Sequence, residues 1–264
     1  MSQLSRSALD PSAEGFALAP GDVGQPTWAK TLGMLCSRLL LFALWQTVIA
    51  EFYVAGKSQQ PWDASVSWWP IVALLASCTS FILLNIVYRQ EHTSLLRDVL
   101  AFQRRYVKQD LLALLGLLVL VAPIGYLPAP LVSSVLFGDP EAAAQMMLRP
   151  LPVWAAYAAL LFPIAIGLSE LPTYFAYVMP RLEALTGRWW VGWLVASVFL
   201  GAQHMTLPLI FDWRFLVWRL LMFLPFALVL GAALRWRGRL LPYLMVVHAL
   251  LDLSLAVIVL QSSI

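Results

Sequence analysis

Gly167-Leu168-Ser169-Glu170-Leu171-Pro172-Thr173-Tyr174-Phe175 sets one carboxylate inside an apolar run that extends from Leu151 to Leu182. An ionisable group at membrane depth is costly to keep and marks a functional site. At about 1.5 Å per residue the run measures roughly 48 Å, against a hydrocarbon core of about 30 Å, so it must break, kink or continue past the bilayer. Pro163 and Pro172 supply the break points. Two of the three histidines, His204 and His248, also lie in apolar runs. The expected architecture is a scaffold that brings Glu170, His204 and His248 together.

Composition agrees. Of 264 residues, 61% are hydrophobic and 12% charged, where a soluble domain carries about 25% charged residues. Apolar spans of about 20 residues recur, which implies an all-α, polytopic transmembrane helical bundle of about seven spans in contact with the lipid bilayer. The net charge of +3 comes with loop-clustered Lys and Arg and no interleaved aromatics, so no nucleic-acid partner is expected. Cys36 and Cys78 fall in separate spans without CxxC spacing and read as buried, inert thiols.

Three regions follow. Residues 1–30 lack the n-region and h-region of a signal peptide and read as a disordered cytoplasmic tail. Residues 31–150 form the N-terminal helices. Their first span, Thr31–Val54, carries Arg38 and Glu51 at positions from which both are expected to snorkel. The second, Val66–Tyr88, is entered through Trp62, Trp68 and Trp69, an expected interfacial aromatic belt. A cytoplasmic amphipathic helix is expected near 93–108, with Leu95, Leu96, Val99, Leu100, Phe102 and Tyr106 opposite Arg97, Arg104, Arg105 and Lys108. A third span starts at Leu111 and meets Pro123, Pro128 and Pro130. Residues 151–264 form a C-terminal bundle of catalytic type: the Leu151–Leu182 region, then Trp189–Phe211, Trp213–Leu234 and Leu240 to the end. With the N-terminus cytoplasmic, 13 of the 17 Lys and Arg fall on the inner side, as the positive-inside rule requires.

Depth tests whether the polar groups meet. His248 lies nine residues after Arg239, about 14 Å above the inner face. If the fourth helix continues to Arg181, Glu170 is eleven residues up, about 16 Å, and the depths match. This predicts a helix through Glu170 to about Leu182. His204 falls nearer the outer side. Asp252 shares a helix face with His248 at i+4, and Tyr174 and Tyr177 share Glu170's face at i+4 and i+7. Burial disfavours a charged carboxylate and suits it to take a proton from water. A histidine beside it orients that water or shuttles its proton, and a second one stabilises an oxyanion. The set suits amide hydrolysis inside the membrane. GxSxG and HExxH are absent.

At these residues the chain resembles the CAAX protease and bacteriocin-processing (abortive-infection, type II CAAX prenyl endopeptidase-like) family of intramembrane peptidases. That signature runs EExxxR, FxxxH, HxxxN or HxxxD. Here it reads Glu170-Leu171-Pro172-Thr173-Tyr174-Phe175 with a Met179-Pro180-Arg181-Leu182 tail, then Leu200-Gly201-Ala202-Gln203-His204 with Phe199 one place early, then His248-Ala249-Leu250-Leu251-Asp252. The resemblance covers about Leu151 to the C-terminus. It implies a hydrolase acting on a peptide or protein substrate at the membrane, by proteolysis near a prenylated C-terminus or by bacteriocin processing. Glu170 and His204 would activate water, and His248 and Asp252 would form the oxyanion site. It implies metal-independent or metal-dependent chemistry alike; Glu170, His204 and His248 are the set that would hold zinc. The second glutamate and the arginine of the signature are Leu171 and Phe175 here, an apolar pair expected to pack where an ion pair would stand.

The expected protein is an integral membrane endopeptidase of the bacterial inner (cell) membrane. The alternative is a catalytically inactive member that binds a membrane peptide as an immunity or assembly factor.

Overall fold

A computed structural model of the chain describes residues 26–100 and 102–264. Most of the expected tail therefore lies outside the described residues. The first helix starts inside the tail's expected limit: α1 is Trp28–Ala55. It is followed by α2 (Pro61–Val66), α3 (Trp69–Gln90), α4 (Val107–Tyr126), α5 (Pro128–Phe137) and α6 (Ala142–Met147). The C-terminal half contains α7 (Val153–Ala159), α8 (Phe162–Leu171), α9 (Met179–Thr186), α10 (Trp189–Gln203), α11 (Trp213–Trp236) and α12 (Leu241–Ser263). Every element among the described residues is helical. Six stretches are long and apolar enough to cross a membrane: Trp28–Ala55, Trp69–Gln90, Arg104–Phe137, Val153–Thr186, Trp213–Trp236 and Gly238–Ser263. The protein is an all-α bundle of membrane-spanning length. The remaining expected span, Trp189–Phe211, is realised as α10, whose 15 residues reach about 22 Å before a 3-10 turn at His204–Thr206.

The centre of the bundle is the run that carries Glu170. The helix does continue past it. After a break at Leu160 and Leu161, α8 passes into a π-helical segment, Pro172–Val178, and on into α9. Pro172 has no N–H to give the carbonyl four residues back, and the wider π turn accommodates that loss without ending the helix. Every residue from Ser169 to Leu182 is buried. α4 is the opposite case, peripheral, with only Asp110, Leu114 and Val121 buried.

The expected amphipathic helix near 93–108 is not continuous. Leu95–Val99 forms a π turn and Arg104–Tyr106 a short 3-10 turn. The wide turn follows the apolar spacing: Leu100 N–H donates to Leu95 O at 3.0 Å, and both leucines are buried while Leu96 is exposed. Phe102 packs edge-on against Tyr243, ring centroids 4.9 Å apart. The thiols also differ from expectation. Both are free, but Cys36 is half-buried and Cys78 exposed. Trp69 is buried against Phe162 at 5.5 Å, so it belongs to the core and not to an interfacial belt.

Outside the spans, Asp212 caps α11, accepting from Arg214 N at 2.8 Å and Phe215 N at 3.4 Å. The Arg214 guanidinium, with help from these two amides, holds its carboxyl below the usual carboxylate range. A group whose folded pKa is depressed stabilises the fold above its unfolded value and loses that contribution as pH falls through the folded one. Asp212→Ala is expected to lower stability by about 1 kcal/mol at neutral pH. Asp212→Asn keeps the cap, and the gap between it and wild type is expected to close as thermal unfolding in detergent is repeated from neutral to acid pH.

Candidate functional site

Gly167 sets the distance between α8 and α12. A Cβ there would lie 3.1 Å from both Ala249 Cβ and Met245 O, tighter than an ordinary contact, so hydrogen on that face lets the two helices meet this closely, in the manner of small-residue contacts between membrane helices. Three residues on, Glu170 reaches the same neighbour. Its Oε1 lies 3.3 Å from His248 Nε2, and His248 Nε2 lies 3.2 Å from Asp252 Oδ2. The matched depths of Glu170 and His248 and the i+4 pairing with Asp252 are therefore as the sequence predicts. Neither approach is aligned as a hydrogen bond: Glu170 Oε1 and Asp252 Oδ2 are buried acceptors without a hydrogen-bond partner among the described residues. Because Nε2 faces acceptors on both sides, it is the ring nitrogen that carries a proton.

The other oxygen of Glu170 has a partner that the sequence reading missed. Arg38 is not a snorkelling residue; its side chain is fully buried. Nη2 donates to Glu170 Oε2 at 3.3 Å and to Ser77 Oγ at 3.4 Å. Nη1 donates to Ser169 Oγ at 2.7 Å, and Nε donates to Gln203 Oε1 at 2.7 Å. Tyr174 OH also donates to Gln203 Oε1, at 3.4 Å, while Gln203 Nε2 is buried without a hydrogen-bond partner among the described residues. Arg38 thus joins α1, α3, α8 and α10 around one carboxylate. Ser169 is free to accept because its own hydroxyl donates to Ala165 O at 2.8 Å.

His204 is not in direct contact with that set. It is buried, but among the described residues it reaches neither Glu170 nor Asp252 within ion-pair distance. Its Nδ1 lies 2.9 Å from Leu200 O; a carbonyl only accepts, so Nδ1 carries the proton and Nε2 is left as an acceptor. The ring stacks on Phe223 at 3.6 Å, and Arg219 donates to His204 O at 3.1 Å and to Leu207 O, fixing the 3-10 turn. Tyr177 also leaves the expected face. Across the π segment its position rotates away from Glu170, and its hydroxyl donates to Glu91 Oε1 at 3.0 Å beside the Arg181–Glu91 ion pair. Leu171 and Phe175 are both buried in one apolar cluster, in keeping with an apolar pair in place of an ionic one.

An apolar cleft of about 540 Å³ opens between α4, α11 and α12, a volume in the range of small-ligand sites. Leu117 and Val121 of α4 and Phe223 and Phe226 of α11 line it, and its polar lining comes from Tyr126, His248 and Asp252. Among the described residues no three His, Cys, Asp or Glu side chains are grouped to hold a metal, and Glu170 already faces a guanidinium.

Gly167→Ala is expected to cost about 1–3 kcal/mol by forcing α8 and α12 apart. Gly33→Ala, which meets nothing within 4 Å, serves as the control and is expected to be neutral or stabilising. Thermal unfolding in detergent compares the two.

Comparison with protein-family models, with curated proteins and with solved structures gave no match.

Proposed function

We propose that this protein is an intramembrane endopeptidase that hydrolyses a peptide bond near the cytoplasmic side of a bacterial inner membrane. The observation that carries the reading is a buried carboxylate oxygen, Glu170 Oε1, without a hydrogen-bond partner among the described residues and 3.3 Å from His248 Nε2, where His248 and Asp252 line an apolar cleft. A general base requires such an open acceptor, and an oxyanion site requires a donor aimed beside it.

In the proposed reaction Glu170 takes a proton from water as the oxygen bonds to the scissile carbonyl carbon. His248 donates from Nε2 to the carbonyl oxygen as it becomes negative. His204, with Nε2 free to accept, orients the same water. The proton held by Glu170 then passes to the amide nitrogen, the C–N bond breaks, and a carboxylic acid and an amine are released. Asp252 would repel the oxyanion if its charge were uncompensated; His248 at 3.2 Å supplies the compensation. The ordered motif resemblance from Glu170 to Asp252 supports the same assignment.

Charge distribution supports the orientation. Arg38, Arg181 and Arg219 are buried and do not count as loop charges. The remaining basic residues divide 11 to 3 in favour of the side assigned to the cytoplasm.

One observation favours a second reading. Arg38 already compensates Glu170, as a structural ion pair would, and the chain would then be a non-catalytic membrane factor that binds a peptide in the cleft for immunity or assembly. Glu170→Gln separates the two. Membranes expressing wild type and variant at equal levels are compared for peptide termini. Termini present only with wild type, and a loss of turnover of about 10²–10⁴-fold in the variant, are expected. Identical termini with both proteins folded and abundant would leave the binding role.

A further inference from the structure

The chemistry above uses Glu170 and His248 and gives Arg38 no part. Yet a fully buried guanidinium has been placed against the reacting carboxylate from a helix on the other side of the sequence, 132 residues away. Burying a cation is costly unless paired and hydrogen-bonded, and four polar partners have been gathered for it.

We infer that Arg38 is a positioning residue for Glu170: it supplies the buried counter-charge and turns Oε1 toward His248, which lines the cleft. The kinetic part of this inference rests on the endopeptidase reading; the structural part does not.

The order of bond lengths carries the argument. Arg38 is held most closely by neutral acceptors, Gln203 Oε1 and Ser169 Oγ, both at 2.7 Å, and touches Glu170 at 3.3 Å. Its orientation is therefore fixed independently of the carboxylate it serves. The ring face of Phe42, 5.1 Å below the guanidinium carbon, closes another side. Only Nη2 reaches Glu170, and only at Oε2. A carboxylate is planar, so anchoring Oε2 on α1 dictates where Oε1 points, and it points at His248. Without a cation, a carboxyl at 2% exposure takes up a proton instead of keeping its charge, and a protonated carboxyl cannot accept one from water. Lysine cannot fill the role. Nε, Nη1 and Nη2 leave Arg38 in separate directions to separate partners, whereas an ammonium is a single nitrogen.

The test uses the full chain purified in detergent, the peptide identified by the terminus comparison, and four variants: Arg38→Lys, Arg38→Met, Glu170→Gln and Arg38→Met/Glu170→Gln. Turnover is measured together with labelling of Glu170 by dicyclohexylcarbodiimide, which reacts with protonated carboxyls and is read by mass spectrometry. The expected result for Arg38→Met is a kcat about 10²-fold lower with KM unchanged and a rise in the Glu170 adduct. In the double variant no loss beyond that of Glu170→Gln is expected. Arg38→Lys is expected to keep the adduct low while lowering kcat, because it restores charge and not the fork. Wild-type kcat in Arg38→Met, additive losses in the double variant, or equal adducts in all Arg38 variants would each overturn the inference. If Arg38→Met does not fold, Arg38→Lys decides alone, and a wild-type kcat there would overturn it. If wild type cleaves nothing, the endopeptidase reading fails, and the adduct comparison still decides whether Arg38 holds the carboxylate.

Discussion

An ion pair between a fully buried arginine and a carboxylate 2% exposed, in a bundle whose outer surface is apolar, constrains everything around it. Desolvating two charges costs several kcal/mol each even after relaxation, and their attraction repays it only when the remaining donors are also satisfied. The structure meets that condition with Ser77, Ser169 and Gln203, one from each helix that approaches Arg38. Helix positions follow from this requirement. α1 must present Arg38 inward, α10 must end where Gln203 can turn back to it, and α8 must carry serine beside glutamate. The four helices are tied at one depth, and the apolar clusters pack outward from there.

The central helix is anchored a second time. About 16 Å along it, Arg181 pairs with Glu91 at the end of α3 and lies over the Tyr177 ring at 3.6 Å. The π segment lies between the two anchors. It lets one helix present Glu170 to α1 and α12 and, two turns later, present Tyr177 and Arg181 to α3. Tyr88 completes that second cluster, edge-on to Tyr177 at 5.3 Å. A regular α-helix would have kept Tyr177 on the Glu170 face and left Glu91 with one partner fewer. The π turn is thus the element that separates a structural polar cluster from the candidate site.

Much of this was legible. Apolar runs gave the all-helical bundle, a count along two spans gave the meeting of Glu170 with His248, and i+4 spacing gave Asp252. What escaped reading was the partner in α1. An arginine near the start of a span is ordinarily a snorkelling residue, yet α1 has 28 residues, and ten residues from Trp28 is about 15 Å. The depth arithmetic that matched Glu170 to His248 places Arg38 alongside them, and that was the available signal. Gln203, beside His204 inside an apolar run, was a second one. Tyr177 and the segment near 93–108 were misplaced for a shared physical reason: helical periodicity was taken as 3.6 residues per turn, and both segments contain π turns. Depth counting put His204 nearer the outer side, and the structure places it in the 3-10 turn that follows the end of α10 at Gln203.

The cleft and the ion pair meet at a single side chain. Neither Arg38 nor Glu170 lines the cleft; His248 and Asp252 do, and His248 is the one of these two that pairs with Glu170 among the described residues. A ligand entering between α4 and α12 therefore encounters the imidazole before the carboxylate, and the charge of the buried pair reaches it through the proton on Nε2. α4, the wall of that entrance, is the least buried span, and its start is held by Asp110 against Arg237 and Arg239 of the α11–α12 turn, at 3.1 and 3.5 Å. One end of α4 is fixed by charge, while Leu117 and Val121 further along it line the cleft with few buried neighbours, so the cleft side of the site is its less constrained wall. The Arg38 side, with every helix tied to one guanidinium, is its rigid one.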